Sequence, residues 1–182
     1  MSYCEIITFR DGKPDQSQEF GNSWGGAAFI WDCLFNKYLK DPRKEYDSWL
    51  GNAGSSSSSL WKLHEREGLP RFERAVHMAT YDRAIVEKRD FPQFIKDLLD
   101  FADAYESGRT SHLRSWAKFI QEHPDVQAVG FYMTSVSENL WYDWDEATET
   151  MILYDCNTEK KHFSVYRQIE RIESEMPVAG TT

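Results

Sequence analysis

Cysteine is scarce: Cys4, Cys33 and Cys156 are the only three among 182 residues. They are odd in number, far apart and never spaced as CxxC. That excludes a disulfide framework and a cysteine-based zinc site. The usage suits a reducing cytoplasm, with cysteine serving as a small hydrophobe. The opening segment MSYCEIITFR lacks the basic stretch and apolar run of a signal peptide. No window approaches the roughly 18–20 apolar residues of a membrane span. The expected location is therefore cytoplasmic, with no membrane partner.

Positive charge is also in deficit. Lys and Arg number 21 against 30 Asp and Glu, a net charge of −9. This argues against duplex DNA, RNA or an anionic membrane as direct partner. Metal-protease and phosphate-loop signatures are missing too. His64, His77, His112, His123 and His162 show no i, i+4 pairing, and His64-Glu65 is not part of an HExxH sequence. There is no Walker lysine and no GxGxxG loop. Gly25-Gly26 lies where a helix N-terminus could hold an anion, but two glycines equally suit close helix packing. Thr148 stands where an EF-hand beginning at Asp143 would need glycine. No cofactor is expected.

Aromatic mass is plentiful: 7 Trp, 9 Tyr and 11 Phe. A chain of this length buries on the order of 70% of its unfolded surface, so it needs neither disulfides nor metal to fold. Residues 3–9 read as a strand, Asp11-Gly12-Lys13-Pro14 as a turn, and 16–20 as the returning strand. Ser23 is the expected N-cap of a helix to about Lys40, with Trp24, Ala28, Trp31, Phe35 and Tyr38 on its apolar face. Cys33 falls inside that helix and is read as a buried, inert thiol. Asp41-Pro42 ends it, and a short helix to Leu50 is expected next. A further short helix is read over 60–68. A longer one over 70–88 is marked by Phe72, Ala75, Val76, Ala79 and Val86. A capping box of Asp90 with Gln93 opens an amphipathic helix stopped at Gly108. Another helix begins at Ser111 and ends at His123-Pro124. Residues 126–134 read as a central strand. Residues 150–154 and 161–166 read as a hairpin around Asn157, and a short helix follows on Ile169, Ile172 and Met176.

Together these elements predict an α+β fold. A helical middle packs on a small antiparallel sheet formed by an N-terminal hairpin and C-terminal strands. One domain is expected over residues 1–176, with a mobile Ser-rich loop at 51–59 and a frayed tail at 177–182.

The charge is unevenly spread. Residues 101–150 hold nine acidic against three basic residues, and so −6 of the net −9. Glu138, Asp143, Asp145, Glu146 and Glu149 follow one another with no compensating base, interleaved with Trp141, Tyr142 and Trp144. Just before them, Asp97, Asp100, Asp103 and Glu106 recur at three-residue steps, a rise of about 4.5 Å each along a helix. Carboxylates spaced in this way imitate a phosphate row, and Trp among them supplies the anchors of a protein–protein contact. Solvated helix faces and core tryptophans would produce the same pattern.

Two stretches, EFGNSWGGAAFIWD (19–32) and TSVSENLWYDWDEATE (134–149), resemble small accessory proteins encoded by bacteriophages and prophages. The resemblance carries no catalytic or binding residue with it. It implies an inhibitor of host defence or nucleic-acid-processing machinery, of the anti-CRISPR or antirestriction kind. On that expectation the protein is non-enzymatic, and its acidic aromatic surface binds a host protein with a basic, nucleic-acid-binding groove. Two alternatives stand beside it. One is a small enzyme or divalent-metal protein using residues 143–149 or a cross-strand Asp155–His162 pair. The other is an assembly protein with Trp24 and Trp31 in an oligomer interface. The sequence does not assign an oligomeric state.

Overall fold

The computed structural model describes residues 3–22, 26–50, 59–105, 111–133 and 141–176. Ser23, Trp24, Gly25, the serine-rich stretch 51–58, Glu106, Gly108, Glu138 and the tail 177–182 lie outside the described residues.

Strands β1 (Tyr3–Arg10) and β2 (Lys13–Asn22) form the expected hairpin. Its turn residues Asp11 and Gly12 both take left-handed backbone, with φ 49° and 81°. Such a two-residue turn matches the right-handed twist of the strands it joins. The register shifts between Ile7 and Phe9. There the buried Thr8 hydroxyl accepts from the Gln16 N–H at 3.0 Å and donates to the Gln16 carbonyl at 3.2 Å, replacing the lost ladder bonds.

Helix α1 (Ala27–Tyr38) begins later than the expected Ser23 cap, with Gly26 at its N-cap position. Trp31 is buried inside the protomer, and so is most of the apolar face of α1. Trp31 is thus core, not an oligomer contact. Turns occupy 42–46 and helical backbone appears only at Trp49 and Leu50, later than the short helix expected there, and the stretch 60–68 holds one 3-10 turn, Leu63–Glu65.

The expected helix over 70–88 divides in two. Helix α2 (Arg71–Ala79) stops where the Thr80 hydroxyl donates to the His77 carbonyl at 2.6 Å. Arg83 then takes left-handed backbone (φ 59°), and strand β3 (Ala84–Glu87) begins. Val86 fitted the helical spacing, but Ile85 and Val86 are β-branched and pair with the next sheet strand instead. A 3-10 turn, Lys88–Asp90, leads into α3 (Phe91–Ala104). The expected capping box does not form: Asp90 makes no side-chain cap bond, and Gln93 donates to Asp97 at 2.7 Å. Helix α4 (Ser111–Glu122) and central strand β4 (Ala128–Met133) follow as expected.

The C-terminal third departs most. Strand β6 (Thr150–Leu153) pairs with β5 (Tyr142–Asp145) and not with residues 161–166. Strand β7 (Phe163–Ser164) lies parallel to β3, and Val165 and Tyr166 already belong to α5 (Val165–Glu175). Val165, Ile169 and Ile172 have helical spacing and are buried, so burial favours a helix there over a second strand.

The fold is α+β. The main sheet has order β2-β1-β4-β3-β7, antiparallel except for β3–β7, and β5–β6 is a separate two-stranded ribbon. One face of the sheet joins the helices through Cys4, Ile6, Val86, Val129 and Phe131. The other carries Ile7, Phe9, Ile85 and Ala128, packed with Trp141 and Tyr154. Buried Glu73 ties three helical segments together. It accepts from Lys37 Nζ and the Tyr38 hydroxyl, both at 2.6 Å, and from the Tyr105 hydroxyl at 2.9 Å. A buried carboxylate is tolerated only with such donors.

Candidate protein-binding site

Trp141 and Tyr154 seat the β5–β6 ribbon on the sheet. The Trp141 ring meets Phe9 edge to face at 4.9 Å and Tyr154 at 5.3 Å. Its Nε1–H donates to the Phe131 carbonyl at 3.1 Å, and the Tyr154 N–H donates to the Trp141 carbonyl at 3.0 Å. Gly130 makes room for the indole: a Cβ there would lie 3.1 Å from both Phe9 and Trp141. The Tyr154 hydroxyl donates to the Glu159 carbonyl at 3.1 Å, and Arg83 lies over its ring.

Beyond this seat the ribbon is exposed on both faces. Tyr142 pairs with Leu153, Asp143 with Ile152, Trp144 with Met151, and Asp145 with Thr150. Side chains alternate, so Tyr142, Trp144, Met151 and Leu153 share one face. Asp143, Asp145, Thr150 and Ile152 share the other. Trp144 and Met151 are each 58% exposed, and Ile152 and Leu153 are exposed as well. A pair of long apolar side chains opposite one another is ordinarily buried against something. The tip adds Glu146 and Glu149, both exposed. The Thr148 side-chain hydroxyl first, and then the Ala147 N–H at 2.9 Å from Oδ1, hold the Asp145 carboxyl below the usual carboxylate range. Glu149 takes left-handed backbone (φ 53°), the bend that returns the chain into β6. The site is an apolar ladder bordered by carboxylates.

No family model, curated protein or solved structure matches this chain.

The acidic residues named from sequence divide sharply. Asp143, Trp144, Asp145, Glu146 and Glu149 come together on the exposed ribbon and its tip. Trp141 does not join them; it is fully buried beneath the ribbon and belongs to the core. Asp97 is likewise removed from any surface. It is buried, and accepts from the Tyr166 hydroxyl at 2.5 Å and from Gln93 at 2.7 Å. Helical geometry explains why. Each three-residue step falls about 60° short of a full turn. Asp97 therefore faces the core, the Asp100 side chain is 38% exposed and the Asp103 side chain 69%. Asp100 is paired with Lys96 and Asp103 with Arg114, so this face of α3 is not an uncompensated acidic row. The cross-strand partners Met151 and Ile152 were hidden in sequence because residues 150–154 read as pairing with 161–166.

The alternative chemistry does not assemble. With β6 paired to β5, Asp155 and His162 are not cross-strand neighbours. Asp155 accepts from the Asn157 N–H at 2.8 Å, and His162 Nδ1 lies 3.1 Å from the Tyr154 hydroxyl. Cys156 has its thiol pushed up to about 11, chiefly by burial, the opposite of an activated nucleophile. Cys33 is half-buried, not fully enclosed. Among the described residues no three His, Cys, Asp or Glu side chains converge as a metal site, and no helix is long and apolar enough to cross a membrane.

Proposed function

We propose that this protein is a non-enzymatic inhibitor that binds a basic protein partner through the β5–β6 ribbon. The single observation that carries this reading is the exposed Trp144–Met151 pair flanked by Asp143, Asp145, Glu146 and Glu149. Trp anchors dominate binding energy in protein interfaces, and surrounding carboxylates steer and orient a positively charged partner. Grooves that bind nucleic acid carry that positive charge. The resemblance to phage and prophage accessory proteins favours a partner in a host defence or nucleic-acid-processing complex.

The test is affinity capture from the native host, comparing the wild type with Trp144→Ala and with a triple reversal of Asp143, Asp145 and Glu146 to Lys. One partner is expected with the wild type and neither variant retains it, while both variants keep the wild-type Tm. Affinity should fall as salt rises, and the partner's nucleic acid should compete with the protein. Unchanged capture by both variants refutes the site. Salt-independent capture without nucleic-acid competition refutes mimicry.

A further inference from the structure

Two open cavities adjoin along helix α5. One, of about 360 Å³, is lined in part by His64, Glu65, Glu67, Gln168, Arg171 and Glu175. The other, of about 300 Å³, is lined by His64, Met78, Tyr81, Phe163 and Gln168. They share His64 and Gln168, so one continues into the other. The larger is rich in charge, and its charged groups are free to meet a ligand. Glu67, Arg171 and Glu175 are exposed, and none of the three forms an ion pair with another described residue. The smaller holds no Lys, Arg, Asp or Glu, and its Phe163 ring is half-buried.

His64 stands at the junction, and its hydrogen bonds fix its tautomer. The Tyr81 hydroxyl donates its one hydrogen to the Trp61 carbonyl at 2.9 Å, so its oxygen must accept from His64 Nδ1, which lies 2.9 Å away. That leaves His64 Nε2 as a bare lone pair, on the side of Glu65 and 3.9 Å from its carboxylate. Burial holds the His64 pKa below the ordinary imidazole value, so the ring is neutral at pH 7 and does not compensate Glu65.

The larger cavity therefore presents an imidazole acceptor and three carboxylates against one guanidinium. A primary ammonium answers that set, with three donors and a full positive charge. A bare metal ion does not, because among the described residues no three His, Cys, Asp or Glu side chains converge on one point. A hydrocarbon stem on the ammonium would leave water by passing into the uncharged cavity.

We propose that the paired cavities bind a primary amine with an apolar stem. The ammonium lies among His64 Nε2, Glu67 and Glu175, and the stem lies against Phe163. This site is independent of the ribbon.

Calorimetric titration of the intact protein at pH 7 tests it, with phenethylamine, uncharged phenethyl alcohol, phenylalanine and spermidine as probes. Phenethylamine is expected to bind in the millimolar range, and the alcohol at least about fivefold more weakly. Replacing Glu67 and Glu175 together by Gln should weaken phenethylamine several-fold without changing Tm, since both are exposed. Arg171→Gln should tighten it, because a like charge is removed. Phenylalanine distinguishes two sources of the same headgroup. Binding tighter than phenethylamine, and lost in Arg171→Gln, assigns a free amino acid whose carboxylate Arg171 holds. Binding no tighter assigns an amine without a carboxylate. Equal affinity for phenethylamine and its alcohol overturns the proposal, as does the absence of phenethylamine binding. Spermidine binding more tightly than phenethylamine overturns the apolar stem. Because binding should persist in Trp144→Ala, failure here is separate from failure of the ribbon.

Discussion

Replacing Gly130 by Ala tests whether the ribbon depends on a wedge at the sheet surface. The added Cβ would lie 3.1 Å from Phe9 Cε2, 3.1 Å from Trp141 Cζ2 and 3.3 Å from the Ala84 carbonyl oxygen. Carbon atoms prefer about 3.5–4.0 Å, so two rings must each give several tenths of an ångström. Neither can do so freely. Phe9 and Trp141 already meet edge to face, and the Trp141 Nε1–H is committed to the Phe131 carbonyl. The Ala84 carbonyl belongs to the backbone of β3. Overpacking of this kind costs about 1–3 kcal/mol. Relief of glycine's unfolded-state freedom offsets about 0.5–1 kcal/mol. The net loss is about 0.5–2 kcal/mol, a fall in Tm of about 1–8 °C for a chain of this size. Urea unfolding followed by circular dichroism and Trp fluorescence measures it. A second readout is local. Residues 141–158 contain no Lys or Arg, but Glu146 and Glu149 are exposed at the tip. A glutamate-specific protease should therefore cut Gly130→Ala faster there than the wild type. An unchanged or raised Tm without faster cutting would show that Trp141 is not seated as described.

Two further predictions concern buried titratable groups. Burial pushes the His77 pKa down to about 3, so it is neutral when folded while its unfolded form protonates near 6.5. The unfolded state binds more protons below that value. The stability held above it is lost as pH falls towards 3, by at most about 3 kcal/mol between pH 6.5 and 4.5. Urea midpoints across that window should fall for the wild type and fall less for His77→Phe; identical slopes would sink the assignment. Asp97 behaves in the opposite sense. Burial raises its pKa above the ordinary carboxylate value, with the Tyr166 and Gln93 bonds acting against that shift. Its contribution is therefore fully present below the ordinary value and is lost as pH rises through the folded one. Asp97→Asn keeps an acceptor for the Tyr166 hydroxyl and removes the ionisation, so at pH 7 it should lie within about 1 kcal/mol of the wild type or above it. A loss of more than about 3 kcal/mol by chemical denaturation would show that Asp97 needs its full charge.

Local signals served well wherever local chemistry decides structure. Asp11-Gly12 produced its hairpin turn, because few residue pairs accept left-handed backbone twice in succession. The apolar spacing over Phe94, Ile95, Leu98, Leu99, Ala102 and Tyr105 produced α3, and the β-rich run at 126–134 produced the central strand. They failed where two structures share one pattern. Val86 extends a helical spacing from Ala79, yet four turn residues intervene and Val86 pairs with Val129. Residues 150–154 can pair forwards or backwards along the chain, and nothing local distinguishes Lys161 to Tyr166 from Tyr142 to Asp145 as partner. That choice moved Met151 and Ile152 to the surface and separated Asp155 from His162. The ring contacts of Trp61 with Trp31 and Tyr81 were out of reach for the same reason, because these residues are distant in sequence and meet only in the packed structure.

The acidic segment shows where composition stops. Residue order alone concentrates negative charge in 101–150 and places tryptophan within it, because charge and aromatic content are properties of the chain whatever its fold. Exposure is not such a property. Trp141 and Trp144 have similar acidic neighbours, but one fits the space left by Gly130 and the other projects beyond the sheet. Asp97 and Asp103 share a helix and a periodicity, but the 3.6-residue turn directs one to Tyr166 and the other to Arg114. Burial depends on what the remainder of the chain places opposite a residue, and only the packed structure supplies that.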